Sequence, residues 1–147
     1  MKLIDRDETV LVVTGASPAA AEKDHPLALR LRDEIDRRGY GLPFRRALLV
    51  EDSAWVGNPS FHDNPTIAIG GPGSNAVVQH LTESLPTVWN RDERSFIQIG
   101  GDGKSRQVAL WGMDSAATQE AVEAFVDEGM LDALLERLWP FKPVVNT

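Results

Sequence analysis

Runs of apolar residues alternate along this chain with segments in which apolar residues recur every three or four positions. The runs are typical of buried β-strands, and the spaced positions are typical of amphipathic helices. This pattern predicts strands at residues 9–14, 44–50, 66–69, 87–89, 95–99 and 107–111, and helices at residues 26–38, 74–84 and 115–138, the last interrupted at Gly129. Strands that alternate with helices predict a three-layer α/β/α sandwich with a mixed, mostly parallel sheet, flavodoxin-like or Rossmann-like.

The first helix is predicted to begin at Pro26, because proline suits the first turn of a helix and Asp24 stands just ahead of it as a candidate cap. Its apolar positions are Ala28, Leu31 and Ile35, which lie on one face of a helix. We therefore expect this face to pack against the sheet.

Two connections differ from ordinary short loops. Residues 53–65 show no periodicity and form a long connection, and Trp55 and Phe61 within it predict that it is held against the surface of the domain. Residues 100–106 join the last two predicted strands, and Gly100, Gly101 and Gly103 are typical of a hairpin turn.

The composition predicts one globular α/β domain that spans residues 1–147. Hydrophobic residues make up 42% of the chain and charged residues 25%, close to the average for globular proteins. No apolar run approaches the ~18 residues that a membrane-spanning helix needs. Fifteen basic and 22 acidic residues give a net charge of -7. This charge disfavours nucleic acids and anionic membranes as partners, since both would be repelled.

The N-terminal segment and the absence of cysteine both bear on the cellular location. Asp5, Asp7 and Glu8 fall where a secretory signal needs an uninterrupted apolar stretch. The chain has no cysteine, so it forms no disulfide and offers no thiolate, which fits a reducing compartment. We expect a soluble, cytoplasmic protein.

A glycine-rich turn between a predicted strand and a predicted helix is the most distinctive local motif. Gly71, Gly73 and Ala76 have the G-x-G-x-x-A spacing of a dinucleotide-binding turn, and Asp92 falls close to the position of a ribose-binding acid. Pro72, however, removes one N–H group from the turn. Two interpretations stay open, a turn needed only for packing and a cradle for an anionic ligand or a nucleotide.

Polar side chains follow several of the predicted strands. In open α/β sheets, ligands bind at the carboxyl ends of the parallel strands, where such side chains converge. The candidate ligand-binding residues are Ser17, Asp52, Gly71, Gly73, Ser74, Asn75 and Asp114. Several of these are also ordinary helix caps, so the set matters more than any single member.

No catalytic or metal-binding motif is recognisable. The chain lacks cysteine and a G-x-S-x-G turn, and His25, His62 and His80 have no evident base partner in the sequence. The glycine turn also lacks the Lys-Ser/Thr ending of a P-loop. We predict no catalytic residue and no metal site, and we assign no cofactor; whether the protein is an enzyme stays open.

Two resemblances to known families can be stated. Residues 12–17, VVTGAS, resemble the opening of short-chain dehydrogenases, which bind a nicotinamide cofactor on the turn after their first strand. Pro18 and Ala19 replace the later turn glycines of that family, and Phe44 stands four positions after Tyr40 where the family has lysine. These departures exclude that family.

The second resemblance covers about 60 residues. A strand, a Gly-Gly-Pro turn, Asn75 and a helix are followed by another strand, Gly112, Asp114, Thr118, Ala121 and a second helix. This order resembles the α/β modules of archaeal surface-layer proteins, which have structural roles at the cell surface. The resemblance implies an α/β fold; because no export signal is visible, we do not extend the structural role to this chain.

The C-terminal segment predicts self-association. Leu131, Leu134, Leu135 and Leu138 share one helical face, and Trp139 and Phe141 follow it as further apolar surface. Trp55 is a second aromatic residue in a setting typical of interfaces. We therefore expect a homo-oligomer, most simply a homodimer, of an α/β domain without an assignable catalytic site. The alternatives are a protein or enzyme that binds a small anionic ligand at residues 70–75, and a scaffold module.

Overall fold

The computed structural model describes residues 4–100 and 106–139. Within these residues the chain forms six strands, five α-helices and one 3₁₀ helix. The strands are β1 Val10–Thr14, β2 Ala47–Glu51, β3 Thr66–Ile69, β4 Thr87–Arg91, β5 Ser95–Ile99 and β6 Gln107–Gly112. The helices are α1 Pro18–Arg38, α2 Asp52–Val56, α3 Ala76–Thr82, α4 Ser115–Asp127 and α5 Met130–Leu138, with the 3₁₀ helix at Pro59–Asp63.

The six strands form one mixed sheet in the order β2-β1-β3-β6-β5-β4. β2, β1, β3 and β6 are parallel neighbours, whereas β5 is antiparallel to both β6 and β4. The central strands β1 and β3 are buried along their whole length, as expected for strands covered on both faces.

Helices cover both faces of the sheet. One hydrophobic cluster joins the sheet to α1, α4 and α5, and a second cluster joins its other face to α2 and α3. The predicted three-layer α/β/α sandwich with a mixed, mostly parallel sheet is therefore confirmed.

The start of α1 differs from the prediction. The helix begins at Pro18 rather than at Pro26, because Ser17 caps it by accepting a hydrogen bond from the backbone N–H of Ala20, and three alanines after Pro18 favour helix. Pro26 lies inside the helix, where it removes one backbone hydrogen bond at a cost of about 3 kcal/mol. Asp24 is consequently not a cap but a buried residue in the second turn.

The connection at residues 53–65 is more regular than predicted, because it contains α2 and the 3₁₀ helix. The expectation that aromatic residues hold it in place is confirmed. Trp55 is buried, its indole N–H donates to Thr66 Oγ1 at 3.2 Å, and the ring of His62 stacks on it with 3.9 Å between centroids. Trp55 is thus a core residue and not an interface residue.

The apolar surface of the C-terminal segment is used within the chain. Leu131, Leu134 and Leu135 of α5 are buried in the first cluster, and Trp139 is buried with them. The indole N–H of Trp139 donates to the carbonyl oxygen of Glu8 at 2.8 Å, which ties the two ends of the described chain together. The chain's own core thus covers most of the Trp139 ring, which argues against an intermolecular contact by this residue; the contact of the segment as a whole stays a prediction.

Some of the predictions concern residues or properties that the structure does not describe. The hairpin glycines Gly101 and Gly103, and Phe141 in the predicted interface, lie outside the described residues. Homo-oligomer formation itself stays a prediction. Among residues 4–100 and 106–139, no helix has both the length and the apolar character required to span a bilayer.

Candidate functional site

The carboxyl ends of β1, β3 and β6 lie at one edge of the sheet, and a glycine in very close contact with a neighbouring segment follows β1 and β3 and ends β6. A β-carbon on Gly15 would lie 1.9 Å from the carbonyl oxygen of Ser74, and one on Gly112 would lie 2.4 Å from the backbone nitrogen of Thr118. These distances leave no room for a side chain, so the glycines allow the loops and helix starts to pack tightly at this edge.

Asn75 closes the crevice between β1 and β3. Its side-chain amide donates to the carbonyl oxygens of Val13 at 3.1 Å and Ile69 at 2.9 Å, which belong to the two strands. Its side-chain oxygen accepts from the backbone N–H groups of Val77 at 2.9 Å and Val78 at 3.2 Å, and so caps α3. Because Asn75 is buried with all of these bonds made, its role in the structure is to join two strands to a helix start.

Asp52, the first residue of α2, joins the loop after β1 to the start of α3. One carboxylate oxygen accepts from the backbone N–H groups of Ala16 at 3.0 Å and Ser53 at 2.8 Å, and the other accepts from Ala76 at 2.9 Å. A carboxylate at the first residue of a helix is favourable for the helix dipole. Asp52 therefore occupies the position at which an external anion would approach the start of α3.

The glycine-rich turn is held by its own backbone. The N–H groups of Ser74 and Asn75 both donate to the carbonyl oxygen of Gly71 at 3.0 Å, and the hydroxyl of Ser74 donates to the same oxygen at 3.2 Å. Gly70, and not Gly73, adopts a positive φ of 122°. This positive φ lies one residue ahead of the G-x-G-x-x-A motif, at a position where glycine is strongly favoured.

A cavity of about 220 Å³ lies beside this closed crevice, on the side of α1 and α4. It is bounded by the first two turns of α1, the loop after β3, the end of β6 and the start of α4. The lining residues are Ser17, Ala19, Ala20, Lys23, Asp24, Gly71, Ser74, Gly112, Met113, Asp114, Ser115 and Thr118. Its volume is below the range of about 300 to 1,000 Å³ that holds drug-sized ligands, so it suits a small metabolite.

Two helix N-termini meet at this cavity. Ser17 caps α1, and Asp114 caps α4 by accepting from the backbone N–H of Ala117 at 2.8 Å. Ala19 and Ser115 line the cavity, and their backbone N–H groups have no acceptor in the described part of the chain. Unpaired N–H groups at helix N-termini attract negative charge.

Asp24 lies in the same cavity and is the least expected of its residues. Asp24 is 4% exposed, and its carboxylate forms no hydrogen bond within residues 4–100 and 106–139; its oxygens are not among the fully enclosed unpaired atoms of these residues and so face the cavity. Burial raises the pKa of the Asp24 carboxyl above its ordinary value, and the positive charge of Lys23 offsets part of this effect. A buried carboxylate without a donor is unfavourable for the folded state, so its retention requires an explanation.

The second carboxylate of the cavity is in a different situation. Asp114 accepts from the start of α4 with one oxygen, and Arg94 donates to its other oxygen. The charge of Asp114 is therefore balanced by a direct ion pair within the protein, whereas Asp24 has only the nearby charge of Lys23.

The predicted ligand-binding residues divide into two groups. Ser17, Gly71, Ser74 and Asp114 line the cavity, and the structure brings them together from three different loops. Asn75 and Asp52 bind the segments around the closed crevice instead, and Gly73 lies in the turn after β3 without lining the cavity. Ligand binding by any of the seven stays a prediction.

Sequence reasoning missed Asp24 as a site residue. The signal was present, because Ala20, Asp24, Ala28, Leu31 and Ile35 continue one buried stripe along α1. Placing the helix start at Pro26 removed Asp24 from that stripe. Gly70 and Gly112 were also not among the predicted site residues, since their importance depends on contacts made by distant segments.

The histidines do not form part of this cavity. His62 Nε2 lies 2.9 Å from the carbonyl oxygen of Trp55, and its ring stacks on Trp55. His25 and His80 are exposed on helices. Within residues 4–100 and 106–139, no cluster of three or more histidine, aspartate or glutamate side chains is placed to hold a metal ion.

Comparison with known proteins assigns no relative. A scan against protein-family models and a search of curated proteins both give no match to this chain.

Proposed function

We propose that this protein binds a small polar metabolite with an anionic group in the cavity between the N-termini of α1 and α4. One observation carries the proposal: a cavity at the carboxyl edge of the sheet combines two helix starts that have unpaired N–H groups with a buried carboxylate that has no partner. Sites at this edge are the usual ligand sites of open α/β sheets.

Lys23 and the two helix starts are the features of the cavity that favour an anionic group; of its two carboxylates, Asp114 is paired with Arg94 and Asp24 is not. Lys23 lines the cavity and is exposed, and α1 has no acidic residue in its first turn. Each helix start contributes about half a positive charge through its backbone dipoles. An acidic group of the ligand would therefore be attracted to the unpaired N–H groups of Ala19 and Ser115.

The start of α3, the helix that follows the glycine-rich turn, is not the proposed anion site. At that helix the N–H groups of Ala76, Val77 and Val78 already donate to Asp52 and Asn75. The role of the glycine turn in this proposal is to form one wall of the cavity through Gly71 and Ser74.

A ligand screen with matched variants tests the proposal. Thermal unfolding is measured with inorganic phosphate, small mono- and dicarboxylates, amino acids, phosphorylated metabolites and nucleotides. A ligand that binds only the folded state stabilises it by about 2.7 kcal/mol at 100 times its dissociation constant. We expect at least one saturable increase in melting temperature.

The position of the site is tested by Ala19→Glu. This change places a negative charge at the cavity mouth and also suits the first turn of α1, so binding should be lost while the fold is retained. Ala19→Gln has the same size without the charge, and Ala21→Glu adds the charge in the same turn at a residue that does not line the cavity. Binding should survive both controls; equal binding by Ala19→Glu would place the site elsewhere, and a screen without a saturable ligand would contradict the function.

The cellular setting and the assembly stay predictions alongside this proposal. We propose a cytoplasmic protein on the grounds of its composition, and self-association, predicted from the apolar C-terminal segment, stays a prediction although the described part of that segment is largely buried. A structural module of the kind found in surface-layer proteins is the alternative, and it would bind none of the screened metabolites.

A further inference from the structure

We infer that the ligand carries a protonated amine as well as its anionic group, and that Asp24 binds this amine at the floor of the cavity. The ligand class is a small aminocarboxylic acid. This inference rests on the proposed function and adds the chemical group that selects the ligand.

The position of Asp24 makes it a specific feature of the site. It stands in the buried stripe of α1, between Ala20 and Ala28, where an apolar residue would complete the contact with the sheet. From the helix start at Ser17, seven residues of α-helix descend about 10 Å to Asp24. Asp24 therefore lines the cavity from the second turn of α1, farther along the helix than Ser17, Ala19 and Ala20.

The chemistry of the carboxylate defines its missing partner. An ionised carboxylate only accepts hydrogen bonds, and that of Asp24 accepts none within the described residues while its oxygens face the cavity. A buried charge without a partner is costly, and an opposite charge that also donates hydrogen bonds removes that cost. A ligand ammonium group supplies the charge and three donors together.

Other partners fit less well. A divalent cation needs several oxygen ligands, but Asp114 is already bound to Arg94 and to the start of α4. A hydroxyl group would supply a single donor and no charge. The neighbouring helix starts also need an acceptor on the ligand. A ligand with an ammonium and a carboxylate supplies the donor for Asp24 and the acceptor for the helix N–H groups.

Matched compounds test the inference on the intact protein. Dissociation constants are measured by calorimetry for sets that differ at one group: alanine, lactate and propionate; aspartate, malate and succinate; glutamate, 2-hydroxyglutarate and glutarate. We expect at least one amino acid to bind at least tenfold more tightly than both of its matched acids.

Variants at Asp24 assign the preference to this residue. Asp24→Asn keeps the size of the side chain and removes the charge, and Asp24→Leu replaces it with an apolar residue suited to the stripe. Both should reduce the preference for the amine to less than threefold, and thermal unfolding shows that each variant is folded. Asp33→Asn removes an exposed carboxylate of the same helix and should keep the wild-type preference.

The outcomes separate the inference from the proposed function. Tighter binding of the amino acid that is lost in both Asp24 variants and kept in Asp33→Asn supports the inference. Equal binding of an amino acid and its matched acids overturns it and leaves the anion site in place. Tight binding of ethanolamine or putrescine without any carboxylate supports the role of Asp24 and contradicts the anion site. Absence of binding by every compound overturns both the inference and the proposed function. Stabilisation by Mg²⁺ or Ca²⁺ alone that is lost in Asp24→Asn overturns the inference that Asp24 binds an amine.

Discussion

The carboxylate of Asp24 lies directly against the backbone of Gly70, so closely that a β-carbon on Gly70 would stand 2.6 Å from Oδ2. Gly70 also has a φ of 122°, a conformation that residues with a side chain rarely adopt. The helix α1 and the end of β3 therefore approach one another through a pair of residues, one without a side chain and one with a buried charge.

This contact predicts that Gly70→Ala destabilises the protein by more than about 2 kcal/mol, because the added methyl group meets the carboxylate and the backbone must be strained. Gly73→Ala is the matched control in the same turn, since Gly73 has no positive φ and no atom within 4 Å of an added β-carbon. We expect Gly73→Ala to change the unfolding free energy by less than about 0.5 kcal/mol. Chemical denaturation measures both.

A double variant separates the steric part from the backbone part. In an Asp24→Ala background the carboxylate is gone, so Gly70→Ala should cost less than it does in the wild type. An identical cost in both backgrounds would show that the contact with Asp24 does not matter and that the backbone angle accounts for the whole effect.

The second prediction concerns the stability of the protein without ligand. Asp24→Asn should raise the unfolding free energy by about 1 to 3 kcal/mol at neutral pH, because the buried charge without a donor is removed. Asp33→Asn, an exposed change on the same helix, should shift it by less than about 0.5 kcal/mol. Destabilisation by Asp24→Asn would mean that the carboxylate has a stabilising partner.

The same variant has a predicted pH dependence. Burial raises the pKa of the Asp24 carboxyl in the folded state above its unfolded value of about 4. The folded state is therefore favoured most below about pH 4, where the carboxyl is protonated, and this advantage is lost as the pH rises through the raised pKa. The advantage of Asp24→Asn should therefore be smallest near pH 4 and grow toward pH 7. The other charged groups around the cavity are Lys23 on α1 and the pair formed by Asp114 and Arg94. The turn after β3 places the uncharged residues Gly70, Gly71 and Ser74 near Asp24. A constant advantage across this range would contradict the prediction.

The third prediction distinguishes a structural Asn75 from a ligand-binding one. Asn75→Asp should destabilise the fold by about 3 kcal/mol or more, because a carboxylate would face the carbonyl oxygens of Val13 and Ile69, which now accept from the amide. Ser74→Ala is the control, since it removes one exposed hydroxyl bond. Urea denaturation should show a large loss for the first variant and a small one for the second; similar stabilities would contradict the structural role.

The fourth prediction concerns Trp139. Trp139→Ala should lower stability by about 3 to 5 kcal/mol through the cavity it leaves in the core, and Trp139→Phe should cost less because only the hydrogen bond to Glu8 and part of the ring are lost. Light scattering during gel filtration should give the same mass for the wild type and Trp139→Phe. A different mass for Trp139→Phe would indicate that Trp139 takes part in an intermolecular contact.

The fold class could be read from the sequence because it depends on local periodicity. The apolar runs that became β3 and β5 were predicted at residues 66–69 and 95–99, where the structure has them. The caps Asn75 and Asp114 were likewise among the predicted polar residues, since a cap acts on the N–H groups of its own helix. The start of α1 was not predicted, because Pro26 resembles a first-turn proline and only the packing of the whole buried stripe outweighs its cost inside the helix.

The sequence by itself determined the alternation of strands and helices, the caps and the presence of polar residues at the ends of strands, all of which depend on neighbours a few positions away. Only the tertiary structure decided which of those residues share a cavity. Asn75 and Asp52 bind backbone groups of distant segments and close one crevice, whereas Ser17, Ser74 and Asp114 meet around another. Asp24 acquired its importance from the burial of α1 against Gly70, a contact between residues 46 positions apart that no local pattern records.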